Sequence, residues 1–194
     1  IIVREVTGSV SMQNVTVKNG MQVLLEGGGN LAANVQRLRS RSGITFRVAQ
    51  NSTLDWQESE TILKGSPQHH GYMLDVRSQA RMNFRLSDCS YLGISNGGLL
   101  MYPGEQAQIN FRIENSLIRS GMQIEASEQG QVKGRVVDTQ FELGAVPGVT
   151  VLAFENSSVG LRFLGVNAER YDLENRSPNA SILVENLNQF STEN

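Results

Sequence analysis

Arg85, Arg112, Arg135 and Arg162 recur at intervals of 27, 23 and 27 residues. A planar guanidinium grips carboxylate and phosphate through paired N–H donors, so four on one face would suit an extended polyanion such as an acidic glycan or lipopolysaccharide. On backbone roots about 4.8 Å apart, each close pair would repel by roughly 1 kcal/mol in water unless counter-charges or an anion lay among them. Long side chains fanning apart, or pairing with Glu114, would relieve the same cost without a ligand.

A second set of residues could act on sugars. Asp75 and Glu125, two repeats apart, would stand about 9.6 Å from each other on stacked strands, near the upper end of the carboxylate separation in inverting glycosidases. In that reading they are the candidate acid and base, Arg47 modulates Asp75, and Tyr102 stacks on a sugar ring. A solvated ladder of mixed charge accounts for the same residues. His69 and His70 are the only histidines and sit side by side in SPQHH. Adjacent side chains diverge in an extended loop, so they are expected in solvent rather than on a metal, although within reach of Asp75 or Arg47 around a corner. No D-x-D run supplies the six or more oxygens of a calcium site, and no G-x-S-x-G, P-loop, CxxC or H-E-x-x-H pattern occurs. No metal and no cofactor is expected.

Such columns exist only if the chain stacks its repeats. Units headed by Gly71, Gly98, Gly121 and Gly148 have the same offsets as the arginines, and less regular ones open at Gly20 and Gly43. Self-similarity at this period marks a solenoid. Apolar residues fall one, three and five places after the glycine, as in Val149, Val151 and Ala153, with the two-residue period of a half-buried strand. A second alternation follows, as in Met82, Phe84 and Leu86, and then a short third strand carrying Tyr91, Ile118 or Phe141. Glu58 breaks the second alternation, which predicts a bulge or a one-residue register shift there. Trp56, Phe84 and Phe111 are expected to stack inside, interrupted by Gly134. Asp88, Asn115 and Asp138 mark a two-residue bend, since Asp and Asn tolerate left-handed backbone. Residues 1–19 read as an N-terminal cap or degenerate coil, 20–179 as six coils, and 180–194 as a last partial coil or cap, all one domain. The loops KGSPQHH, LGISNG and ELGAVP put length variation on one edge, where binding faces often lie.

Three short strands per turn, with that bend in register, resemble the right-handed parallel β-helix of the pectin-lyase-like superfamily, over roughly 20–188. The fold class expected is therefore all-β, a right-handed parallel β-helix of six to seven coils. In polysaccharide lyases and hydrolases of this architecture the groove lies on the first-strand face. The resemblance carries no catalytic motif: hydrolases cluster several aspartates with His and Arg or Lys, lyases gather acidic calcium ligands, and each coil here offers at most one such residue.

The formal charge of −2, from 17 basic and 19 acidic residues, gives no bulk reason for a nucleic-acid partner. No apolar run approaches the roughly 18 residues of a membrane span. Cys89 is the single cysteine and reads as a buried thiol. Five N-x-S/T triplets are of the kind an Asn/Ser-rich chain contains by chance. An opening Ile suggests a processed piece with flanking segments of a longer parent. The leading expectation is a non-enzymatic structural or adhesive module, most like a bacterial autotransporter passenger and so secreted or on the cell surface. Its partner would be a polysaccharide or other surface glycan. The alternatives are a polysaccharide-active enzyme or glycan-binding module on the first-strand face, and a phage or secretion-apparatus rod that trimerises.

Overall fold

A computed structural model describes residues 2–4, 7–64, 70–93, 97–142, 148–168 and 170–185. His69, Ser191–Asn194 and most of the three long loops lie outside them. The described strands form three parallel sheets of eight, eight and seven strands, a β-solenoid of about seven turns, and there is no helix among the described residues. Each of the first seven coils lends one strand to each sheet. Tyr72–Val76, for example, is followed by Arg81–Ser87 and Ser90–Tyr91, and each pairs with its counterpart in the coils before and after.

The coil geometry reaches both ends of the described chain. Ile2–Arg4, Thr7–Gln13 and Thr16–Val17 make a coil with all three strands, each paired to the next coil. The last described coil opens at Tyr171–Asn175 rather than near Ala180, and Ser181–Glu185 is its second strand. Arg170 takes the place of a heading glycine there: its carbonyl accepts from Val149 as that of Gly148 accepts from Met122. The periodic signal therefore failed at that coil although the hydrogen bonding did not.

The bend recurs in every complete coil, with φ from 44° to 62° at Asn14, Arg37, Glu60, Asp88, Asn115, Asp138 and Gly165. Asp and Asn accept this backbone readily, whereas Arg and Glu do so at some cost. Arg37 Nε donates to Glu60 Oε2 at 2.8 Å from one bend to the next, an exposed contact that recovers a little of it. At Gly165 a Cβ would collide with the Asp138 carboxylate of the preceding bend, which adds a second reason for glycine.

Inside, strands follow the expected parity without a bulge at Glu58. That residue pairs in register with Val35 and Leu86, points inward and is 3% exposed. Its carboxylate is accommodated because Trp56 Nε1 donates to Oε2 at 2.7 Å and the Tyr72 hydroxyl to Oε1 at 3.1 Å. A buried polar group with partners costs far less than one without. Trp56, Phe84, Phe111 and Gly134 occupy successive rungs as expected, and the Phe111 ring lies where a Gly134 side chain would be. The edge-to-face contacts nevertheless run across the interior: Phe46 meets Trp56 at 4.8 Å and Phe84 at 5.8 Å, and Tyr72 meets Phe84 at 5.5 Å.

Candidate functional site

The second sheet turns every other residue to solvent, and its outward columns are mostly polar, with Leu164 and Leu183 as large exposed apolar exceptions. Arg85, Arg112, Arg135 and Arg162 lie in unbroken register over four rungs, all exposed. Gln57 and Asn34 continue the column one way and Glu185 the other. Arg112 pairs with Glu114 at 2.5 Å on its own strand, and Arg162 with Glu185 at 3.7 Å. Among the described residues no carboxylate pairs with Arg85 or Arg135. Because these ion pairs are exposed, each offsets about 0 to 1 kcal/mol, of the same order as the repulsion along the column. The stripe is thus held together by the strands beneath it rather than by its own charges.

Two residues upstream on each strand runs a parallel column. Asn110 Nδ2 donates to Asn83 Oδ1 at 3.1 Å, Asn83 donates in turn to Asp55, and Lys133 follows Asn110 in register. At the corner before this sheet, pairs of residues with positive φ stack as Ser78–Gln79, Glu105–Gln106 and Glu128–Gln129, and Gln79 Nε2 donates to Gln106 Oε1 at 3.3 Å. Sequence reasoning missed both amide ladders. Their signal was present as Asn, Gln and Glu at the solenoid period, but a polar repeat has no burial pattern to make it conspicuous.

The first sheet brings the sugar-directed candidates together differently. Arg47, Asp75 and Tyr102 occupy one outward column in register, with Glu125 on the following coil and Leu152 beyond it. Tyr102 is half-buried. Its phenol is pushed above the ordinary range, first by burial and then by the negative charges of Glu125 and Asp75, which places it between the two carboxylates. Asp75 is clamped from two sides, by Arg47 Nε at 3.3 Å and by Arg77 Nε at 2.8 Å on its other oxygen. Arg77 was not foreseen, since it belongs to the corner after the strand and to no outward column. Gln123 donates to Glu125. Both carboxylates are thus engaged by neighbours rather than aimed at open space. His70 lies apart, in a recess with Gln22 and Thr45 at the opening of the first strands.

Cys89 is 3% exposed, and burial, with the nearby Glu58 charge, pushes its thiol up to about 12. It is a protonated core group, not a nucleophile. Among the described residues no group of three or more His, Cys, Asp or Glu could hold a metal ion, and no helix is long and apolar enough to cross a membrane. No protein-family model and no curated protein matches the chain.

Proposed function

We propose that this chain is a non-enzymatic β-solenoid module of a secreted or cell-surface protein, and that it holds an extended anionic polysaccharide along the arginine column of its second sheet. One observation carries the reading: Arg85, Arg112, Arg135 and Arg162 stand in register, and two of the four lack a carboxylate partner among the described residues. A linear polymer lying along the solenoid axis meets one guanidinium per rung, about every 4.8 Å, and its charges replace mutual repulsion by attraction. The amide column of Asn83 and Asn110 alongside offers hydroxyl-directed donors and acceptors.

The surrounding chemistry favours binding over turnover. Asp75 is occupied by two guanidinium groups, and the arginine stripe lies on a different sheet from it. On a polysaccharide array, retention is expected on uronate-rich polymers, to fall steeply as salt rises past about 0.15 M where the Debye length is near 8 Å, and to be absent on neutral glucans. Assayed on the same panel, the chain should release neither reducing ends nor unsaturated uronates. Retention on neutral glucans that is insensitive to salt would defeat the electrostatic reading.

A further inference from the structure

We propose that the second sheet carries a subsite for a single acidic sugar unit, centred on the bare backbone of Gly160 and gripped by Lys133, Arg135 and Arg162. It rests on the reading of the arginine column as a polysaccharide surface and adds where along that column one ring is seated.

The outward column beside the arginines runs Asp55, Asn83, Asn110, Lys133, Gly160 and Leu183, and Gly160 is its one position without a side chain over those rungs. Other glycines of the solenoid are required by structure: Gly165 by its left-handed φ of 62°, Gly134 by the Phe111 ring. Neither reason applies to Gly160. Its φ is not left-handed, and a Cβ built there would meet nothing nearer than the Val132 carbonyl at 4.0 Å. Glycine weakens a strand interior and packs against nothing, so its presence on an open face is accounted for by what it leaves empty.

Gly160, with Gly134 beside it, lines a depression of about 360 Å³. The volume is at the lower end of ligand sites, suited to one ring rather than a larger group. Lys133 stands one rung before the gap and Leu183 one rung after it. Arg162 lies two residues along the same strand, with Arg135 in register beside it. Leu183, 64% exposed, offers an apolar wall against which the C–H face of a pyranose packs. Three cations face one lining carboxylate, Glu185, which Arg162 meets at only 3.7 Å. A sugar carboxylate can therefore take bidentate guanidinium bonds that Glu185 does not complete. The described outward residues of this sheet include no aromatic side chain, so single-stranded nucleic acid would find no stacking platform.

The test is calorimetric titration of a short oligogalacturonate into the full chain, its Gly160→Gln variant and its Arg112→Ala variant, with thermal melts of each. Gly160→Gln projects a side chain into the depression while leaving charge and strand register unchanged, and is expected to weaken binding about tenfold or more with a melting temperature equal to the wild type's or slightly higher. If Gly160→Gln binds as the wild type does while Arg112→Ala binds more weakly, the subsite is refuted and the arginine column stands. Should the wild type take up no oligogalacturonate, or prefer single-stranded DNA, the column reading fails and the subsite with it.

Discussion

Raising the pH from about 5 to about 8 should remove roughly 2 to 3 kcal/mol from the stability of the folded chain, and Glu58→Gln should abolish most of that loss. Glu58 is enclosed in the core, and burial raises its carboxyl from 4.5 to about 7 against the opposing bonds from Trp56, Thr61 and Tyr72. Below about 4.5 the group is protonated in both folded and unfolded chains, so folding bears no ionisation cost. Between about 4.5 and about 7 the unfolded chain releases the proton while the folded chain retains it, and stability falls with rising pH. Above about 7 both are ionised and the full penalty persists. The neighbouring titratable groups, Tyr72 and Cys89, are themselves pushed upward by burial and stay neutral throughout this range. Glu60, whose carboxyl is lowered by Arg37, has the opposite dependence, but it is present in wild type and variant alike and cancels in the comparison. Urea unfolding at several pH values provides the check: converging curves at low pH and a more stable Glu58→Gln at high pH are expected, and parallel curves would contradict the account.

Phe46→Ala should cost about 3 to 5 kcal/mol, the range for a large aromatic removed from a closed core. Phe46 is wholly buried and joins neighbouring sheets through its edge-to-face contacts with Trp56 and Phe84. Solenoid stability is approximately a sum over coils and the interfaces between them, so a cavity at this rung weakens the coupling of the coils on either side. Chemical denaturation should show a lower midpoint and, where coupling is lost, a broader transition. A loss under about 1 kcal/mol would mean that the interior is packed far more loosely than these contacts indicate.

The glycine-headed units exposed most of this architecture in the sequence because the same physics acts on every rung. Buried strands alternate, and corners demand left-handed backbone. Legibility failed where a residue satisfied the geometry by an atypical route. Arg37 and Glu60 occupy bends that elsewhere hold Asn, Asp or Gly, and their mutual ion pair is visible only once the rungs are stacked. Arg170 heads a coil without being glycine, so the glycine period gives no sign of the strand that opens at Tyr171. Glu58 looked like a break in parity because its partners, Trp56 two residues away and Tyr72 on the next coil, are brought to it only by folding. The arginine column was legible from spacing alone, and so was the alignment of Arg47, Asp75 and Tyr102. That Arg77 shares Asp75, and that Gly160 is free of any packing reason to be glycine, follow only from three-dimensional neighbours.

Affinity for polygalacturonate at low ionic strength, compared between the wild type and Arg112→Ala/Arg135→Ala, tests the binding surface most directly. Two guanidinium groups removed from the middle of the stripe should weaken binding by about 30-fold or more, while the melting temperature changes little because both side chains are exposed and surface charges contribute about 0 to 1 kcal/mol to stability. Equal affinity in the two proteins would contradict the account.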